Sequence, residues 1–169
     1  VPTTRIEYSY YLMAKEAGLQ MMPSYLVEGE EATHFMTERF DRQGGKKLHI
    51  QTLAAMKPTA NSYEELFDVA CRLGVLPSEL KQLFLSLTMN MLGGNVDDHS
   101  KNFSFLMADD GAWHIAPAYD YTFAVDLSAP GYMNRHSMTI NNKNVDIERS
   151  DLLELAKHYN IKGADALID

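Results

Sequence analysis

Asp97 and Asn102 stand five positions apart in Gly93-Gly94-Asn95-Val96-Asp97-Asp98-His99-Ser100-Lys101-Asn102, a polar segment led by two glycines. That order and spacing suit phosphoryl transfer. The aspartate hydrogen-bonds an attacking hydroxyl and takes its proton, while the asparagine brings an amide oxygen to Mg2+. Such chemistry rests on positioning and charge neutralisation, so few residues carry it. A Mg2+ site also needs a carboxylate. Asp120 supplies one, at the end of Ala116-Pro117-Ala118-Tyr119-Asp120 and just after a β-hairpin. Asn102 and Asp120 are therefore the expected metal ligands, and Asp97 is the expected base. His99 and Lys101 lie in the same loop, where Lys101 could neutralise a transferred phosphate and His99 could contact it or orient Asp97. The plainer alternative is that Asp97 and Asp98 cap a turn, Asn102 opens a strand and Lys101 is a solvated charge. Three features agreeing in order and context favour the chemical reading.

Other chemistries lack their signatures. His34, His49, His99, His114, His136 and His158 show no H-x3-H or H-E-x-x-H spacing. No G-x-S-x-G elbow is present, and Gly44-Gly45-Lys46-Lys47 is not a P-loop. The one cysteine, Cys71, excludes a disulfide framework and a Cys-rich zinc site. It lies in the helical run Val69-Ala70-Cys71-Arg72, where a buried small hydrophobe is expected. A lone Cys in a chain with 10 Met suits a reducing cytoplasm. With 15 Lys+Arg against 23 Asp+Glu, the net charge of −8 argues against direct binding of nucleic acid or an anionic membrane. No apolar run approaches a membrane span, and no signal peptide is visible.

The 169 residues fit one domain, or one lobe of something larger. Hydrophobic residues make up 46% and charged residues 22%, as in a globular fold. A helix is expected from Arg5 to Ala17, with Ile6, Tyr10, Met13 and Ala17 on its buried stripe and Gly18 as its stop. Two strands, Tyr25–Val27 and His34–Thr37, flank the turn Glu28-Gly29-Glu30-Glu31. Asp41–Lys47 reads as a polar loop and His49–Met56 as a short helix. Ser62 and Glu65 form a capping box for a helix that turns Leu66, Phe67 and Ala70 inward and ends at Gly74. Pro77 and Ser78 open the next helix, with Leu80, Leu83, Phe84, Leu87 and Met91 on its buried stripe. Asn102–Met107 and Ala112–Ile115 form a hairpin. Ser137–Ile140 and Val145–Ile147 read as another, around Asn141-Asn142. Helices from Ser150 to Tyr159 and from Gly163 onward close the chain. The expected class is α+β, mostly helical with short hairpins.

Gly94-Asn95-x-Asp97-x-His99-x-Lys101-Asn102-Phe103-Ser104, then Leu106, then Ile115-Ala116-Pro117-Ala118-Tyr119-Asp120, resembles the HipA-type Ser/Thr kinases, toxins of bacterial toxin–antitoxin pairs. Glu38-Arg39-Phe40-Asp41-Arg42 resembles the family's hinge. Glu7 in the first helix and the tail from Tyr132 through Thr139 and from Asp151 onward also follow its pattern. The likeness spans essentially the whole chain. It implies a kinase C-lobe with Asp97 as catalytic Asp, Asn102 and Asp120 on Mg2+, and His99 and Lys101 near the phosphates of ATP. It implies Glu38 and Phe40 backbone groups at the adenine, and Glu7 as partner of a phosphate-binding Lys. It further implies an aminoacyl-tRNA synthetase as target and a DNA-binding antitoxin as partner.

The family's N-terminal lobe, with its phosphate-covering loop and Lys, is not in this sequence, which opens at Val1 near the helix of Glu7. The expectation is therefore a C-terminal lobe of a longer kinase, inactive alone. Two other readings compete. Asp97-Asp98-His99-x-x-Asn102 also resembles the D-x-H-x-x-N loop of phosphoinositide kinases, and small-molecule kinases share the Asp–Asn spacing. A degenerate lobe that only binds a partner is the third reading, and the intact Asp97, Asn102 and Asp120 argue against it.

Overall fold

The computed structural model describes residues 3–130 and 134–169. Helix α1 (Thr3–Glu16) ends before Gly18, whose φ of 82° closes the turn. Its buried residues are Tyr10, Tyr11 and Ala14. Ile6 packs half-buried and Tyr10 is buried as expected, but Met13 and Ala17 are exposed and the stripe continues through Ala14 instead. The antiparallel pair β1 (Ser24–Glu28) and β2 (Thr33–Thr37) sits against α1, in register Ser24↔Thr37.

The expected polar loop at Asp41–Lys47 contains a minimal hairpin, β3 (Arg42–Gln43) with β4 (Lys46–Lys47), turned by Gly44 and Gly45. His49–Met56 is not one helix. Its first half is β5 (His49–Thr52), and Thr52 then caps α2 (Leu53–Met56), its Oγ1 accepting from the Ala55 N–H at 3.1 Å. The reason is a distant partner: β5 pairs antiparallel with β6 (Ser104–Met107), which pairs in turn with β7 (Trp113–Ile115).

Ser62 caps α3 (Tyr63–Arg72), accepting from the Glu65 N–H at 3.2 Å. Glu65 reaches back to the Asn61 N–H at 2.8 Å. Leu66, Phe67 and Ala70 are buried as their spacing requires. Cys71 is exposed, against expectation, because one step past Ala70 turns it off the buried face. Helix α4 (Pro77–Gly93) starts with Pro at its first position, where a missing N–H costs nothing. It buries Leu80, Leu83, Phe84 and Leu87, while Met91 is half-buried. Glu79 ties its start to β7 by accepting from the Ile115 N–H at 3.0 Å. Gly94 ends it at φ 65°, and a Cβ there would lie 3.2 Å from the Phe123 ring.

Asn141 and Asn142 form the expected tight turn, both at positive φ. No hairpin grows from it beyond the single bridge Ile140↔Lys143. Thr139 instead bonds to the start of α3, donating to Asn61 O and accepting from the Tyr63 N–H, each at 2.9 Å. Helices α5 (Arg149–His158) and α6 (Ala164–Ile168) complete the chain. The main core gathers α3, α4, α5, α6 and the sheet around Phe67, Phe84 and Phe105. A smaller one, with Tyr10, Ala14, Leu19, Leu85 and Tyr121, seats α1. The expected features at Val1 and Tyr132 lie outside the described residues.

Candidate active site

The loop between α4 and β6 separates two adjacent carboxylates. The Asp97 side chain keeps 67% of its exposure, whereas Asp98 is fully buried at 0%. Asp98 accepts from Tyr63 OH at 2.5 Å and from the Ser137 N–H at 2.8 Å, with His136 Nδ1 at 3.0 Å. Its lone pairs are occupied in holding the loop. Among the described residues Asp97 makes no hydrogen bond and has His99 Nε2 at 4.0 Å, which leaves its carboxylate available to a ligand.

A 3-10 turn, Ser100–Asn102, brings Asn102 round. Its Nδ2 donates to the Asp97 carbonyl at 3.1 Å, which leaves the amide oxygen without a partner among the described residues. Sequence spacing thus puts Asp97, His99 and Asn102 together. Lys101 points into solvent, and its backbone carbonyl accepts from Tyr119 OH at 2.8 Å. That bond ties the loop to the segment carrying Asp120. Burial pushes the Tyr119 hydroxyl's pKa up.

Asp120 is exposed and holds φ 63°, a left-handed conformation uncommon for a non-glycine residue. Its carbonyl accepts from Asn95 Nδ2 at 3.3 Å. Glu7 of α1 and Asp120 line one cavity of about 270 Å3 with Ser24, Thr37, Tyr119 and Tyr121. Burial first, and the charge of Asp120 second, hold the Glu7 carboxyl above its ordinary value. No direct contact joins the Asp120 carboxylate to Asp97 or Asn102. Asn102 and Tyr119 line a common interior space, which sets Asp120 one residue from it.

A second cavity of about 320 Å3 shares Thr37, Ala118 and Tyr119 with the first. Met22, Glu38, Arg39, Phe40, Asp41 and Ile50 complete its walls. Phe40 stacks on Tyr119 with ring centroids 5.4 Å apart. The Glu38 N–H is already given to Pro23 O at 3.0 Å, leaving its carbonyl for a ligand. Next to Phe40, Asp41 receives a bidentate pair from Arg39 at 2.8 and 2.7 Å and a third bond from Arg42 at 2.5 Å. The Arg39 guanidinium chiefly pulls the Asp41 carboxyl down to about 2.

Sharing that wall, the two cavities make up a cleft, with Met22, Phe40 and Ile50 beside the charged Glu38, Arg39 and Asp41 at one end and with Glu7 and Asp120 at the acidic other end. No basic side chain offsets the acidic end among the described residues. An unpaired amide oxygen and a free carboxylate beside such a cleft suit a hard cation and its oxygen ligands. The described residues contain no group of three or more His, Cys, Asp and Glu that would cage an ion by itself.

Sequence spacing does not reveal the layer behind the loop: Tyr63, Asn90, Asn95 and Asp98. One signal was available. Asn90 sits three residues after Leu87 on the buried stripe of α4, where an amide is out of place unless it has partners.

A helical body, short antiparallel hairpins, a glycine-led Asp–Asn loop and a further Asp after the next hairpin define a kinase C-lobe-like α+β domain. The chain belongs to the HipA family: the model of the HipA-like C-terminal domain matches residues 2–168. No curated protein gives a significant match. Among solved structures, the fold is similar to a chain of the HipA, HipB and operator DNA complex of the Shewanella oneidensis MR-1 toxin–antitoxin system. That match has TM-score 0.74 and 20% identity over 98% of this chain, which spans 45% of that one. It is also similar to the Helicobacter pylori proinflammatory kinase CtkA, with TM-score 0.66 and 17% identity over 100% of this chain and 72% of that one. No helix among the described residues is long and apolar enough to cross a membrane.

Proposed function

We propose that this domain is the C-terminal lobe of an ATP-dependent Ser/Thr protein kinase. The observation that carries the reading is the contrast between Asp97 and Asp98: one exposed and without a hydrogen bond among the described residues, the other held by three protein donors. Asp97 accepts the proton of the acceptor hydroxyl as the oxygen bonds to the γ-phosphorus and the bond from that phosphorus to the β–γ bridging oxygen breaks, releasing ADP. Asn102 Oδ1 and the Asp120 carboxylate would hold Mg2+. When bound, the ion supplies the charge neutralisation that phosphoryl transfer requires. Lys101, exposed on the same loop, meets the transferred phosphate, and His99 orients Asp97 or contacts that phosphate. The adenine lies in the Phe40 end of the cleft, against the Glu38 carbonyl and the Phe40 backbone.

Membership of the HipA family supports an aminoacyl-tRNA synthetase as target. The HipA–HipB–DNA structure supports a DNA-binding antitoxin as partner. A further lobe that covers the phosphates belongs to the active enzyme, with Glu7 available to its Lys, and the enzyme works in the cytoplasm.

The test is transfer of label from γ-labelled ATP by the full-length protein to aminoacyl-tRNA synthetases, and in parallel to phosphoinositides. Label in the protein acceptor is expected, and Asp97→Asn lowers its rate about 10²–10⁴-fold. Label only in lipid, or an unchanged rate for Asp97→Asn, overturns the reading.

A further inference from the structure

Asp97 and Asp120 sit on separate loops, are both exposed, and make no direct contact with each other. Their separation must nevertheless be fixed if one takes a proton while the other holds the cation on the same phosphate. Behind them runs an unbroken line of hydrogen bonds, buried except where it meets Asp120. Asn95 Nδ2 donates to Asp120 O at 3.3 Å and to Asn90 Oδ1 at 2.9 Å. Asn90 Nδ2 donates to Tyr63 OH at 3.1 Å, and Tyr63 OH donates to Asp98 Oδ2 at 2.5 Å. Asp98 is the chain neighbour of Asp97. The relay therefore starts at the backbone of the metal-binding residue and ends one residue from the base.

Three features distinguish this line from ordinary packing. Tyr63 and Asp98 are 0% exposed, and Asn90 and Asn95 only 2%. Burying four polar side chains inside an apolar core is unfavourable unless each is held. The Asn95 amide is also fixed in sense. Turned over, it would set its oxygen against Asn90 Oδ1 and Asp120 O, two acceptors. As it stands, its own Oδ1 is buried and has no partner among the described residues. Finally, the relay meets Asp120 at its left-handed backbone, a conformation that persists where its surroundings over-determine it.

We propose that Tyr63, Asn90 and Asn95 are positioning residues that set the distance between the proton-accepting Asp97 and the cation-binding Asp120. The proposal rests on the kinase reading above. Tyr63→Phe removes one oxygen and keeps the ring, which meets Phe103 edge-on at 5.7 Å. Asn95→Ala cuts the other end.

The experiment measures kcat, KM for ATP and the Mg2+ concentration for half-maximal rate in the full-length protein, per folded molecule as counted by circular dichroism. The acceptors are casein and an aminoacyl-tRNA synthetase. Tyr63→Phe lowers kcat about tenfold or more while KM for ATP changes less than about threefold, because sub-ångström misplacement acts on the reacting geometry. Asn95→Ala lowers kcat similarly and raises the Mg2+ requirement. The double variant is no worse than the poorer single one, as expected of a single coupled line. An unchanged kcat in Tyr63→Phe, or single effects that multiply in the double variant, overturns the proposal. Should Asn95→Ala fail to fold, Tyr63→Phe decides alone. Asp97→Asn runs beside them. If it retains wild-type rate, or if the wild type transfers no phosphate, the kinase reading has failed. If it is inactive while Tyr63→Phe is normal, only the relay has failed.

Discussion

The cleft and the layer behind it use the same residue types to opposite ends. At the loop and the cleft edge, Asp97, Lys101 and Asp120 are exposed, and their charged groups make no hydrogen bond among the described residues. Behind it, Asp98, Asn90 and Asn95 are buried and tied to one another or to Tyr63. Asp97 and Asp98 are adjacent, yet one is available to a ligand and the other is spent on the loop. A carboxylate in contact with water can change partners at little cost, whereas a buried one is destabilising unless every lone pair is engaged. Role follows environment, so replacing each should fail in a different observable.

The largest expected effect is on activity at the open end. Asp97→Asn lowers phosphotransfer by two to four orders of magnitude without moving the melting temperature, since the side chain has no hydrogen bond to lose. Asp98→Ala does the reverse first. It strips partners from Tyr63 OH, His136 and the Ser137 N–H, and should destabilise the fold by about 3 kcal/mol or more, read by urea unfolding. Equal destabilisation by both substitutions would erase the contrast.

Smaller effects sharpen it. Ser62→Ala removes the cap of α3, the helix that presents Tyr63, and should cost about 1 kcal/mol. The Asp41 carboxyl, held down to about 2 chiefly by Arg39, contributes stability that is complete above its ordinary pKa. That contribution is lost as the pH falls from about 4 towards 2. Arg39→Ala should flatten this part of the acid-unfolding curve, and only slightly, because the guanidinium is largely exposed. Smallest in energy is Cys71, whose exposed thiol should be alkylated in the native protein without unfolding. Burial and then Asp68 hold its pKa up, so the reaction quickens only above the usual thiol range.

How far these regions are legible in sequence follows from the range of the forces that shape them. The cap at Ser62, the glycine stops at Gly74 and Gly94, and the turn at Asn141-Asn142 are local, and their residues announce them. The Asp97–Asn102 bond lies within one loop, so its spacing is visible as well. Elements whose partners are distant are not visible. His49–Thr52 pairs with residues more than fifty positions later, which turns an apparent helix into a strand. Thr139 is engaged by Asn61 and Tyr63, which denies the Asn141 turn its hairpin. The buried relay joins residues 63, 90, 95 and 120, and nothing in their spacing predicts a shared line. Sequence therefore shows bonds within a loop better than bonds between distant segments.

The most direct test places the cation. The Asn102 side-chain amide, distinct because it donates to the Asp97 carbonyl, can be followed by 15N NMR in the full-length protein as Mn2+ and ATP are added in place of Mg2+. Coordination by Asn102 and Asp120 predicts that the Asn102 side-chain and Asp120 backbone signals broaden away together, and that they return when the metal is chelated. If both stay sharp while ATP binds, the metal sits elsewhere and the assignment of this site is wrong.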